Sequence, residues 1–447
     1  MIQFEKLRKN YEEEFLKLYQ IADILDINIS VDFKKKLNNN EFVKLDLLLE
    51  EIYLKIQSEW TQKNYSFLNK FSKTPRQEQI NNIQTINGLN IPYSYERCFL
   101  PEKFEHNLME KLDFFESRVL LYSSGMSAIL AVVLFLNTIL KNKDNIVCYF
   151  FGGYFETIKL FANFSSIHYV NSLEENIEIM DVIYIEPIKY DLSMEVVNIK
   201  HVVDTLKRRK SKKPLFVIFD TTLHGNSFKI RTFLEYITNI DQIIVINLRS
   251  LLKLDQEGLE FAHAGLLELF TSVKVKPILE RFYEILKTNR WVCSLSPTPA
   301  TVSLLDFKGF SKDLDYCMRI LENNMLFYNQ IKKYSGKGLI EKIIFPSGST
   351  NEIFPVEAPF VFVTIKNPSI ERLQLVVNFL ISNSKGIIYN RQSFGFRNTS
   401  IDYFITSDID PKYIIKIAIG RVKGLSYYNL IDSIEVLSDV KEYSSLL

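Results

Sequence analysis

Residues 121–128 read Leu-Tyr-Ser-Ser-Gly-Met-Ser-Ala, and the reading of the fold starts from them. An apolar run, Val119–Tyr122, ends in Ser-Ser-Gly, and a helix-length apolar segment, Met126–Leu140, begins at once. A strand turning directly into a helix points free backbone N–H groups and a positive helix end at one spot, which suits a phosphate. An ordinary N-capped helix has the same local spelling. The flanking pattern sets the context. Ile146–Phe151, Val182–Glu186, Leu215–Asp220 and Ile243–Asn247 are short, nearly continuous apolar runs, with helix-like Phe155–Asn163 and Val196–Arg208 between them. Such runs predict strands buried on both faces of a parallel sheet, built from βαβ units. Right-handed crossovers would gather the strand C-termini, and any ligand site, on one edge.

The two ends of the chain read differently. Leu7, Tyr11, Phe15, Leu18 and Ile21 recur at helical spacing, and Phe42–Ile56 reads as a second helix. Residues 1–85 show no convincing strand and are expected to be a helical N-terminal extension, either a packing cap or a solvated arm. Residues 86–300 form the predicted large α/β domain. From about residue 301 to 447 the pattern is that of a smaller α+β domain. Its elements are helix Leu314–Tyr334, strand Pro359–Ile365, helix Arg372–Ile381, strand Ile414–Ile419 and helix Tyr427–Leu437.

Composition excludes several classes. The 447 residues carry 54 Lys and Arg against 53 Asp and Glu, so no net field favours nucleic acid or an anionic membrane. The four cysteines are far apart with no C-x-x-C, which fits a reducing compartment. Among the five histidines there is no H-E-x-x-H, so no metal centre is expected. The first residues, MIQFEKLRKNYEEEF, lack the apolar core of a secretory signal, and the longest apolar runs are too short for a bilayer. A cytoplasmic protein with no membrane and no nucleic-acid partner is the expectation. The basic run Lys207–Lys213 reads as a solvated loop.

Two further segments carry chemistry. In Leu215-Phe216-Val217-Ile218-Phe219-Asp220-Thr221-Thr222 a carboxylate ends a wholly apolar strand. Burying it costs several kcal/mol unless a cation faces it: a protonated ring nitrogen, a metal or a structural Arg. A strand-end Asp capping the next loop is the plainer reading. In Ile243–Lys253 a strand runs into Ser250-Leu251-Leu252-Lys253, so Lys253 is a candidate desolvated amine able to form a Schiff base. A Lys snorkelling from an apolar surface is the alternative. S-x-x-K also occurs in penicillin-binding proteins, but the S-D-N and K-T-G partners are absent. Together, a phosphate seat, a buried Asp and a buried Lys, in that order, suit pyridoxal 5'-phosphate (PLP).

Here the sequence resembles the Cys/Met-metabolism branch of fold-type I PLP enzymes, which includes cystathionine γ-synthase, cystathionine lyases and methionine γ-lyase. The resemblance spans about residues 90–440. Ser124-Gly125-Met126 is similar to the family's phosphate turn, and Tyr95-Glu96-Arg97 to its Tyr-x-Arg, which reaches a neighbouring subunit's phosphate. Phe150-Phe151-Gly152-Gly153 resembles Leu-Tyr-Gly-Gly, with Phe151 the stacking ring. Phe219-Asp220-Thr221-Thr222 resembles Val-Asp-Asn-Thr, and Ser250-Leu251-Leu252-Lys253 resembles Ser-Ala-Thr-Lys. Ser393-Phe394-Gly395 is similar to Ser-Leu-Gly near the substrate carboxylate, and Ile414–Gly420 to Leu-Val-Arg-Leu-Ser-Val-Gly.

The resemblance implies a fold-type I PLP-dependent transferase fold, with the large mostly parallel sheet domain and the smaller α+β domain already described. It implies cofactor contacts from Ser124, Gly125, Met126, Phe151, Asp220, Thr222, Ser250 and Lys253, with Tyr95 and Arg97 acting across a homodimer or homotetramer. It implies elimination or replacement on an amino acid with a γ- or β-leaving group, through a Lys253 Schiff base and a quinonoid intermediate. The family's stacking Tyr is Phe151 here, so Tyr154 is the candidate for the lost hydroxyl. Its carboxylate-binding Arg is Lys416, which lacks the bidentate fork, so Arg397 is the candidate to assist Ser393 and Lys416. A β-lyase, an aminotransferase and a catalytically degenerate scaffold are the alternatives.

Overall fold

The computed structural model describes all residues except 1, 69–83, 87–88, 92–98, 143–144, 349–351, 407–410 and 447. Its centre is a seven-stranded sheet of β1 (Phe115–Tyr122), β2 (Ile146–Phe151), β3 (Ile167–Val170), β4 (Val182–Ile185), β5 (Leu215–Asp220), β6 (Ile243–Ser250) and β7 (Gly265–Ser272). The spatial order is β1-β7-β6-β5-β4-β2-β3. Only β7 runs against the others. The C-terminal ends of β1, β2, β4, β5 and β6 therefore share one edge, and β7 starts at that edge.

Side-chain alternation along the buried strands feeds two cores. Val182, Tyr184, Phe216, Ile218, Ile244 and Ile246 pack on one face. There they meet Ala128, Val132 and Phe135 of helix Gly125–Ile139 and Leu279, Phe282 and Leu286 of helix Lys276–Val292. Ile183, Ile185, Val217, Phe219 and Val245 pack on the other face, against Val202, Val203 and Leu206 of helix Ile199–Arg208. The mixed α/β class with a large, mostly parallel sheet is thus observed.

A second sheet has the order β8-β9-β12-β11-β10, from β8 (Ile340–Ile344), β9 (Val361–Ile365), β10 (Ile388–Asn390), β11 (Thr399–Ile405) and β12 (Tyr413–Ala418). Helices Leu314–Ile331, Ile370–Asn383 and Leu425–Asp439 cover it around a separate core that includes Phe327, Val363, Val376, Ile415 and Leu430.

The N-terminal extension is helical: α1 (Ile2–Ile24), α2 (Phe33–Asn38) and α3 (Phe42–Leu68). It is a packing cap. Leu7, Leu18, Leu45, Ile52 and Trp60 share one core with Leu251, Leu259, Phe261, Leu304 and Phe307. Trp60 Nε1 donates to the Leu304 carbonyl at 3.0 Å. Near residue 85 a short hairpin, Gln84–Ile86 with Leu89–Ile91, adds strand where none was expected. No helix among the described residues is long and apolar enough to cross a membrane.

Candidate functional site

The β1 turn opens the site. Ser124 caps helix Gly125–Ile139, its Oγ accepting the Ser127 N–H at 3.0 Å. The Ser127 hydroxyl lies 2.9 Å from those of both Ser123 and Ser124. Gly125 and Met126 occupy the first helical positions, where N–H groups have no intrahelical acceptor. Close packing explains the glycine. A Cβ on Gly125 would lie 3.0 Å from Ser250 Cβ, at the end of β6. Gly265, which starts β7 and pairs with Ser250, presses so near that a Cβ there would lie 2.2 Å from the Ser124 carbonyl oxygen. The Ser250 N–H donates to Thr222 Oγ1 at 3.0 Å. Ser124, Gly125, Ser250 and Thr222 thus form one contiguous set.

Asp220 ends β5 on the same face as Phe216 and Ile218. Tyr184 faces that way from β4, and its hydroxyl donates to Asp220 Oδ2 at 3.1 Å. The Thr222 N–H donates to Oδ1 at 3.0 Å. Asp220 is buried, and burial raises its pKa against these hydrogen bonds and the nearby Lys253 charge. A carboxylate so placed favours a cationic partner.

Lys253 follows β6 in a loop tied from several sides. Its carbonyl accepts the Gly258 N–H at 3.2 Å. Arg249 donates to Asp255 Oδ1 at 2.9 Å and to Ser311 Oγ at 2.8 Å, anchoring the same loop. The Lys253 amine lies 4.5 Å from the centre of the Phe394 ring. A Cβ on Gly395 would lie 3.4 Å from Lys253 Cβ. The segment 393–395 therefore does meet the lysine, with Ser393 at a left-handed φ of 83°. Burial lowers the Lys253 pKa to about 8, with the Asp220 charge opposing and the Lys416 charge assisting.

Glu186, which follows β4, was not found by sequence reasoning. It is buried and accepts the Tyr154 N–H at 2.6 Å, holding the Gly152-Gly153-Tyr154 turn after β2. Burial, then Asp220, raises its pKa to about 8. Phe151 ends β2, and Lys189 Nζ sits 4.7 Å from its ring centre. Tyr154 is pushed up to about 12, chiefly by burial, and its ring meets Tyr190 edge-on at 5.8 Å. Tyr190 is a second residue that sequence reasoning missed. Its hydroxyl lies 3.4 Å from Lys416 Nζ, and its ring packs on Phe360, Phe362 and Phe404.

Lys416 is 4% exposed, in the middle of β12 opposite Asp402. No carboxylate among the described residues lies within ion-pair distance of it. Burial lowers its pKa to about 8, against the pull of Asp402.

Arg397 requires a correction. It was expected to help bind substrate, but its guanidinium is buried and donates to Glu14 of α1, with Glu257 3.6 Å away. The guanidinium is thus engaged by α1 through Glu14. Tyr95 and Arg97 lie outside the described residues. Lys207–Lys213 is exposed or partly exposed, and its backbone is held by Glu178. No His, Cys, Asp and Glu group suited to a metal occurs among the described residues.

No family model matches the sequence. No curated protein matches it. Solved structures do. A methionine gamma lyase from Micromonospora echinospora, in its apo form, is 12% identical, with a TM-score of 0.53 over 86% of this chain and 98% of that one. A Campylobacter jejuni protein assigned as an O-acetylhomoserine (thiol)-lyase, with N'-pyridoxyl-lysine-5'-monophosphate, is 14% identical, with a TM-score of 0.50 over 71% of this chain and 82% of that one. At these identities the likeness is one of fold.

Proposed function

We propose that this chain is a PLP-dependent enzyme acting on an amino acid that carries a γ- or β-leaving group, by elimination or replacement. One observation carries the reading. A buried carboxyl at the end of β5 and a desolvated amine just past β6 act on each other's charge, beside a helix-start turn packed on Ser250. The residues fit the cofactor. Asp220 is buried, and among the described residues no Lys, Arg or His forms an ion pair with it. Gly125 keeps the turn open where a Cβ would press on Ser250.

Ser124, Gly125, Met126 and Ser250 would hold the phosphate, with Thr222 bracing Ser250. Asp220 would hold the ring nitrogen proton, and Phe151 would stack on the ring. When bound, the cofactor supplies an electron sink for carbanions next to the amino group. The chain's own groups do the rest. Lys253, with an amine near neutrality, can attach the cofactor and then take and return the Cα proton. Lys416 offers a buried cation with no carboxylate at ion-pair distance among the described residues, for the substrate carboxylate, with Ser393 beside Phe394 in the chain. Tyr154 stands near for a second proton transfer. Tyr95 and Arg97 would complete the phosphate site of a neighbouring subunit, in a homodimer or homotetramer.

Product analysis with amino acids bearing γ- or β-leaving groups tests this. A 2-oxo acid with ammonia, or a substituted amino acid when a thiol is added, supports it. Turnover only with a 2-oxo acid acceptor would mean transamination instead.

A further inference from the structure

Two segments that carry site residues, and the turn that follows the strand of Lys416, also reach α1. The Lys253 loop contributes Glu257, the 393–397 segment contributes Arg397, and the turn after β12 contributes Arg421. All three charged side chains engage Glu14 or Lys17 of α1. One Glu14 carboxylate oxygen accepts from Arg397 and the other from Arg421. Lys17, three residues on and on the same face, lies 3.2 Å from Glu257 and 2.5 Å from Asp313. Glu14 and Arg397 are each about 2% exposed. Burial would raise Glu14, yet the two guanidinium charges outweigh it and hold its pKa below the ordinary carboxylate value.

The cluster is mechanically connected to the lysine. The Arg421 N–H donates to the Arg397 carbonyl at 2.9 Å. The Tyr316 hydroxyl donates to the Gly395 carbonyl at 3.0 Å, and its ring lies 5.6 Å from the Arg397 guanidinium carbon. Gly395 packs on Leu254 and Lys253, and Phe394 underlies the Lys253 amine. Residues 391–398 belong to no strand or helix, and both Ser393 and Gly395 hold left-handed φ values. Such a segment is held by outside contacts rather than by a ladder of its own. A helix serving only as cover needs its apolar stripe, which α1 has in Leu7, Leu18 and Ile21. A carboxylate sealed between two arginines adds little to cover, since apolar packing does as well. It does fix geometry.

We propose that α1 is an intramolecular clamp on the site. Glu14 is a positioning residue that, through Arg397 and Arg421, sets the 393–397 segment against Lys253. The catalytic consequence rests on the PLP reading, while the structural half does not.

The test uses the full chain with Glu14→Gln, a milder Lys17→Met, and Leu16→Ala, at an exposed α1 position, as a control away from both the ions and the core. Amide hydrogen exchange across 393–397 is followed first, without cofactor. Glu14→Gln should speed it about tenfold or more, Lys17→Met less, and Leu16→Ala should leave it unchanged. After incubation with PLP, the pH midpoint of the visible absorbance should move in Glu14→Gln, and kcat should fall more than KM rises. Unchanged exchange at 393–397 and an unmoved midpoint would make α1 a cover and overturn the clamp. If Glu14→Gln does not fold, Lys17→Met decides by the same two readouts. A protein that takes up no PLP still gives the exchange result, so failure of the cofactor reading is distinguishable from failure of the clamp.

Discussion

Lys253 is partly buried and Lys416 buried; burial lowers both pKa values to about 8, and the Lys416 charge adds to the lowering of Lys253. For Lys253 a lowered pKa is useful, since a neutral amine is the nucleophile. For the carboxylate-binding role proposed for Lys416 it sets a limit, because only the ammonium attracts a carboxylate. As pH rises through about 8 that cation is lost, so KM should climb about tenfold per pH unit above it. Lys416→Arg should flatten that rise, since a guanidinium stays charged; a pH profile of KM for both proteins checks this. Asp220→Asn should cut turnover by about 10²-fold or more and weaken PLP retention. Steady-state kinetics and dialysis would measure both. The places of Asp220, at the end of β5, and of Lys253, in the loop after β6, were legible because each follows an apolar run. Glu186 was not, since a Glu-Pro after a strand reads as an ordinary loop end. Arg397 was misread because its partner, Glu14, lies 383 positions away in sequence.

The β1 turn shows why an element can be read while its neighbours cannot. Strand, Ser-Ser-Gly and helix are local signals, and the helix starts within a residue of where the pattern put it. What presses on that turn is non-local. β7 was missed, although Gly-Leu-Leu-Glu-Leu-Phe-Thr-Ser is apolar, because nothing in its spelling inserts it antiparallel between β1 and β6. Gly125→Ala would bring a Cβ to 3.0 Å from Ser250 Cβ, so one side of this turn must shift. The expected result is folded protein with PLP affinity lower by about tenfold, read by absorbance titration. Gly258→Ala is harsher. Its φ is 67°, and a Cβ would fall 2.0 Å from the Tyr316 hydroxyl. A loss of about 2–3 kcal/mol in denaturant unfolding is expected.

At the scale of the molecule, the N-terminal helices close one core with the segment after Lys253 and lean on the smaller domain as well. Tyr11 donates to Asp46 at 2.7 Å and accepts the Leu425 N–H at 2.8 Å. The periodicity of α1 and α3 predicted helices, but not which surface they cover, because amphipathic faces do not name their partners. Glu14 links this architecture to pH. Its folded pKa is depressed, so its contribution is present above its unfolded value, ordinarily about 4.5, and is lost as pH falls through the folded value. Glu14→Gln should therefore destabilise by about 3 kcal/mol at pH 7, with the gap to the parent closing at lower pH. Urea unfolding at a series of pH values would show it.

The central claim is that Lys253 binds PLP beside Asp220. The direct measurement is borohydride reduction of the protein after incubation with PLP, followed by peptide mapping. A visible chromophore that bleaches on reduction, and a pyridoxyl group on Lys253, are expected. A protein that stays colourless with PLP, or a pyridoxyl group on another lysine, would contradict it.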